Sequence, residues 1–164
     1  MNPRTSPLPG SALVLGLVLT TATPVLGRSL TLTVNSDRSD NAPDTRLTFV
    51  EALLVANGDL GRPLSAGESA AVEEAAAGSD LRIRFAIPGD GPHFLVAPPG
   101  GFPPLAPTAF AQTLVDGYSQ PGARPNTRPL GSPNDAVLQV VLDCRVLTPG
   151  PGSEETPDWT LKIV

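Results

Sequence analysis

Val115-Asp116-Gly117-Tyr118-Ser119-Gln120-Pro121-Gly122-Ala123-Arg124-Pro125-Asn126-Thr127 decides how this chain is read. A strand-like lead-in, Gln112 to Val115, runs into a dense block of turn formers. A block of the same character lies upstream, Ile83-Arg84-Phe85-Ala86-Ile87-Pro88-Gly89-Asp90-Gly91-Pro92-His93. Short apolar strands broken at short intervals by Gly, Pro, Asn and Asp describe a chain that turns often. That rhythm suits a solenoid or a sandwich better than a helix bundle or a Rossmann sheet.

Working outward, Leu81 to Ile87, His93 to Val96, Gln112 to Val115, Ala136 to Leu142 and Trp159 to Val164 read as strands. Between them stand Pro98-Pro99-Gly100-Gly101, Pro103-Pro104 and Pro149-Gly150-Pro151-Gly152. Proline cannot donate to a ladder, so these are turns and loops. Upstream, Leu30-Thr31-Leu32-Thr33-Val34 alternates apolar and polar residues and marks a first strand.

Two helices are expected before the strand rhythm takes over. Thr48-Phe49-Val50-Glu51 is a capping box, followed by Ala52 to Ala56 and a stop at Gly58. Phe49, Leu53 and Ala56 fall on one face. Ser65-Ala66-Gly67-Glu68 repeats the capping logic, and the alanine-rich stretch Ala70 to Ala77 predicts a helix ending at Gly78. Glu51 is read as a cap, and Glu73 and Glu74 as a solvated face, not as catalytic acids.

The chain carries a formal charge of −5 and a sequence pI near 4.7, with no run of Lys or Arg. A phosphate backbone needs a basic face, so nucleic acid is excluded as a partner. The first residues have the order of an export signal. Arg4 supplies the charge, Ala12 to Leu19 the apolar core, and Val25-Leu26-Gly27 a small-x-small cleavage site before Arg28. Cleavage after Ala22 is the alternative. The mature chain is then expected outside the cytoplasm, secreted or at the cell surface, without a membrane span.

Chemistry has few places to sit. Asp37, Asp40 and Asp44 lie in a polar loop and are the candidate oxygen ligands for Ca²⁺, although their spacing is not that of an EF-hand. Cys144 is the single cysteine and His93 the single histidine. Gly117-Tyr118-Ser119-Gln120-Pro121 has the outline of a nucleophile elbow, but its fifth residue is Pro and no His follows Ser119. A turn anchored by Tyr118 is the preferred reading. No catalytic, cofactor-binding or metal residue is assigned, and no cofactor is expected.

Three segments carry a family resemblance: Leu47-Thr48-Phe49-Val50-Glu51-Ala52-Leu53 with Ala56-Asn57, Phe85 to His93, and Val115 to Ala123. They resemble bacterial secreted proteins of the pectin-lyase-like group that open with a Cys-Ser-Leu-Arg-Glu-Ala-Ile motif. Leu47 and Val50 replace the Cys and Arg of that motif. The resemblance implies a mainly β fold, in which N-terminal capping helices precede the first coils of a right-handed parallel β-helix, here truncated. Residues 1–27 are then a signal peptide, 28–80 a cap region with two helices, and 81–164 the start of the solenoid. It also implies that His93, Asp116 and Asp143 serve turns, where the two carboxylates cap backbone amides.

The expected function is a secreted, non-enzymatic scaffold or an extracellular recognition protein, with carbohydrate or a surface protein as partner. The alternative is the N-terminal part of a polysaccharide lyase or glycoside hydrolase whose catalytic coils are absent. A remnant reading frame with no function of its own is the third reading. Trp159-Thr160-Leu161-Lys162-Ile163-Val164, as an uncovered terminal strand, is expected to drive self-association.

Overall fold

A computed structural model describes residues 27–144. Residues 1–26 of the expected signal peptide, the turn expected at Pro149 to Gly152 and the strand expected at Trp159 to Val164 lie outside the described residues.

The elements run β1 (Ser29–Val34), α1 (Phe49–Asn57), α2 (Ala66–Ser69), β2 (Val72–Ala75), β3 (Asp80–Phe85), β4 (His93–Val96), β5 (Gln112–Asp116) and β6 (Val140–Asp143). A four-stranded sheet has the order β2-β1-β3-β5, and a two-stranded sheet pairs β4 with β6. β1, β3 and β5 are mutually parallel, with Leu32 beside Ile83 and Ile83 beside Val115. β2 runs antiparallel to β1. Parallel neighbours need a crossover, and the two helices with β2 form the one from β1 to β3.

Alternation explains which faces are buried. Leu30, Leu32 and Val34 point inward from β1, and Leu81, Ile83 and Phe85 do so from β3. Phe49, Ala52, Leu53 and Ala56 of α1 close over these rows. Phe49 anchors the junction: its ring lies 5.8 Å from Phe85 and 5.3 Å, edge-on, from Phe102. Leu95 of β4 and Ile87 join the same core, and Val140 and Leu142 pack against it from β6. Gly58 ends α1 at φ 80, with its N–H donating to Val55 O at 3.1 Å and the Asp59 N–H to Leu54 O at 2.8 Å. These two bonds are a Schellman stop, which needs a left-handed residue that glycine supplies without strain.

The structure corrects the expected fold class. Among the described residues there is no β-helical solenoid and no capped first coil. There are two helices, a small mixed sheet and a small parallel sheet. Two physical causes are visible. β2 occupies the outer edge of β1 in the antiparallel sense, so parallel stacking stops on that flank. Segments 97–111 and 120–139 carry Pro98, Pro99, Pro103, Pro104, Pro107, Pro121, Pro125, Pro129 and Pro133. Without their N–H groups these stretches cannot join a ladder, and the strands stay short.

The second expected helix is also corrected. Helix survives only at Ala66–Ser69, and Val72–Ala75 within the alanine-rich stretch is strand. Alanine's preference for helix is a weak prior that tertiary pairing overrides. The free edge of β1 supplies the pairing: Thr33 N–H donates to Ala71 O at 2.8 Å, and Leu32 through Ser29 align with Val72 through Ala75.

Candidate functional site

The densest polar cluster joins the two capping boxes. At the start of α1, Thr48 Oγ1 accepts from the Glu51 N–H at 3.1 Å, and Glu51 Oε2 accepts from the Thr48 N–H at 2.8 Å. At α2, Ser65 Oγ accepts from the Glu68 N–H at 3.1 Å, and Glu68 Oε2 accepts from the Ser65 N–H at 2.7 Å. Each box satisfies donors that a helix start leaves unpaired.

Arg62 ties the boxes together. Its Nη2 lies 2.6 Å from Glu51 Oε1 and 2.8 Å from Glu68 Oε1, and its Nη1 lies 2.8 Å from Glu68 Oε2. The contact to Glu68 is the two-pronged fork that a planar guanidinium makes with a carboxylate. Both Glu side chains are fully buried, while that of Arg62 is 18% exposed. Arg62 also reaches Asn41, with Nε 3.2 Å from its Oδ1.

The loop before α1 is stitched to the same cluster. Thr48 Oγ1 donates to Asp40 O at 2.9 Å, and Ser65 Oγ donates to Asp44 O. Asp44 N–H reaches Glu68 Oε1 at 3.3 Å. α2 comes so close that a Cβ at Gly67 would stand 2.5 Å from Thr45 Cα. Glycine at 67 is what permits that approach.

The electrostatics follow from two acids sharing one cation. Glu68 is held down at about 2, first by its hydrogen bonds to Arg62, against the opposing effect of burial. Glu51 moves the other way: burial raises it above the usual carboxylate range, with the Thr48 hydrogen bonds and Arg62 opposing and Glu68 adding to the rise. Arg62 is raised in turn, mainly by its bond to Glu68.

The sequence candidates fall as follows. Asp37, Asp40 and Asp44 do not assemble into a cation site, and among the described residues no group of three or more His, Cys, Asp or Glu is placed to hold a metal. The Asp44 carboxylate instead accepts from Arg46 N–H at 2.6 Å and pairs with Arg38 at 3.7 Å.

Ser119 is a backbone fastener. Its Oγ accepts from the Phe85 N–H at 2.7 Å and donates to Asp116 O at 2.5 Å. Gln120, 2% exposed, extends the fastening: Oε1 accepts from Ile87 N–H and Nε2 donates to Ile87 O, each at 2.8 Å. The anchor of this turn is therefore Ser119 and Gln120, since Tyr118 is 46% exposed. Asp116 makes no side-chain cap and pairs with Arg82 at 2.9 Å. His93 is buried on β4, where its backbone N–H donates to Gln139 O at 2.9 Å. Cys144 is exposed after β6.

Sequence reasoning found both capping boxes but missed Arg62. The signal was present: a lone Arg between two boxes whose glutamates turn back toward their own caps. It missed the Gln120 clamp as well, because a glutamine before Pro reads as an ordinary turn residue. No protein-family model, curated protein or solved structure matches the chain.

Proposed function

We propose that the chain is a secreted, non-enzymatic scaffold with an extracellular recognition role, taking carbohydrate or a surface protein as its partner. The observation that carries this reading is the commitment of Glu51, Glu68 and Ser119 to the fold. Glu51 and Glu68 have both carboxylate oxygens occupied by amides and Arg62. The Ser119 hydroxyl is held between two backbone groups. A general acid or nucleophile needs a lone pair or proton free to meet substrate, and these groups are turned inward. The export-type N-terminus supports a place outside the cytoplasm. So does the resemblance of Phe85 to His93 and Val115 to Ala123 to secreted proteins.

Expression of the whole chain in an exporting bacterial host tests the location. Secreted material is expected to begin at Arg28. Cell-retained protein that still begins at Met1 contradicts the reading. A glycan array probed with the secreted form tests for a carbohydrate partner.

A further inference from the structure

A cleft of about 310 Å³ opens between the exit of β5 and the approach to β6. One wall comes from residues 114–118 and the other from residues 138–140. Both walls are tied to the sheets. Ser119 and Gln120, directly after Tyr118, bond to the backbone of Phe85 and Ile87. On the other side Val140 pairs with His93, and Val137 exchanges backbone hydrogen bonds of 2.9 and 3.0 Å with Arg124. Walls set before binding lose little conformational freedom when a ligand arrives.

Three residues of this cleft hold capacity that the fold does not use. Tyr118 is 46% exposed, and its hydroxyl has no hydrogen-bond partner among the described residues. Asp116 places Oδ2 2.9 Å from Arg82, while its Oδ1 accepts no hydrogen bond among the described residues. Gly117 opens the short 3-10 turn Gly117–Ser119. Its backbone is not left-handed, and nothing lies within 4 Å of where a Cβ would stand. Neither backbone strain nor close packing calls for glycine there, unlike at Gly67. What the missing side chain leaves is room in the cleft.

We propose that this cleft binds a neutral saccharide, a proposal that rests on the extracellular recognition reading. The Tyr118 ring offers a flat apolar face to the C–H face of a pyranose. A sugar hydroxyl donates to the Asp116 carboxylate, a charge-assisted bond that fixes the ring's orientation. Leu114, 50% exposed, and Leu138, 64% exposed, supply apolar contact on the two walls. Ligand clefts run from about 300 to 1,000 Å³, so this one takes a short stretch of sugar. Asp116 and the chain's net charge of −5 repel uronates and other anionic sugars. Asp116 is also the one carboxylate among the described residues that line the cleft. Glycosidic cleavage uses a pair, so the site holds a sugar without turning it over.

Calorimetric titration of the full chain with cellopentaose, laminaripentaose and mannopentaose tests the proposal, with penta-galacturonate as the anionic control. At least one neutral sugar is expected to bind, and the control is not. Tyr118→Ala removes the stacking face and Gly117→Leu fills the space, and each is expected to weaken binding by about tenfold or more. Both side chains lie at the surface, so the unfolding midpoints of the two variants should stay at the wild-type value. Absence of binding by all three neutral sugars overturns the proposal. So does tighter binding of the galacturonate. Neutral-sugar binding that survives both substitutions overturns the cleft and leaves the recognition reading standing. A wild-type chain that binds sugar here and also cleaves it supports the cleft and contradicts the non-enzymatic reading.

Discussion

Arg62 holds two fully buried carboxylates with one guanidinium. Breaking a buried pair by removing one partner leaves uncompensated charge, which typically costs about 3–5 kcal/mol. Arg62→Met keeps the stem and removes the cation, and is expected to lower stability by about that amount in urea unfolding. Acid should act on the same cluster from the other side. Glu68 is held at about 2 against a usual value of 4.5, so the folded state binds its proton less readily than the unfolded chain. Its contribution is present above pH 4.5 and is lost as pH falls from there toward 2. Glu51 is raised, so its protonation, which begins above 4.5, favours the folded state. The expected profile is little loss of stability down to about pH 4.5 and a steep fall below it. In Glu68→Gln the fall should be shallower. At this scale the sequence was legible wherever a local motif set the partner. Thr48 with Glu51, and Ser65 with Glu68, are three residues apart and announce themselves. Arg62 with Glu51, and Gln120 with Ile87, join residues brought together only by the fold. The lone Arg between the two boxes hints at the first pair, and no local pattern encodes the second.

Among the elements, α1 combines the clearest sequence signal with the fullest burial. Phe49 is 2% exposed and contacts both Phe85 and Phe102, and Leu53 is 3% exposed. Phe49→Ala removes the ring that couples the helix to β3, and such truncations cost about 3–5 kcal/mol. A midpoint of thermal unfolding unchanged by Phe49→Ala would mean that α1 is not docked on the sheet in solution. The expected strands at Leu30, Leu81, His93 and Gln112 lie within a residue or two of those observed, because alternation or a bounded apolar run marked each one. Ala70 to Ala77 was misread because composition pointed to helix while the decisive term, an open edge on β1, is nonlocal. Ala136 to Leu142 shrank to Val140–Asp143 because Ala136 and Val137 belong to a turn-rich segment, where Val137 bridges Arg124 instead of β4.

For the whole molecule, turn-rich rhythm established that short strands stack, but it could not fix how many would share one sheet or in which sense. β2 on β1 and the β4–β6 pair are outcomes of long-range pairing. The two sheets share one aliphatic core reinforced by Phe49 and Phe85, and Glu51, Glu68 and Ser119 fasten the backbone around it. If Glu51, Glu68 and Ser119 are structural, altering them changes stability and leaves no activity to lose. The most direct measurement is polysaccharide turnover by the wild-type chain, followed in parallel with the unfolding midpoints of Glu51→Gln, Glu68→Gln and Ser119→Ala. The expected result is no turnover above a buffer blank, with lowered midpoints in the three variants. Turnover by the wild type that any one of these substitutions abolishes, with its midpoint unmoved, would contradict a non-enzymatic scaffold.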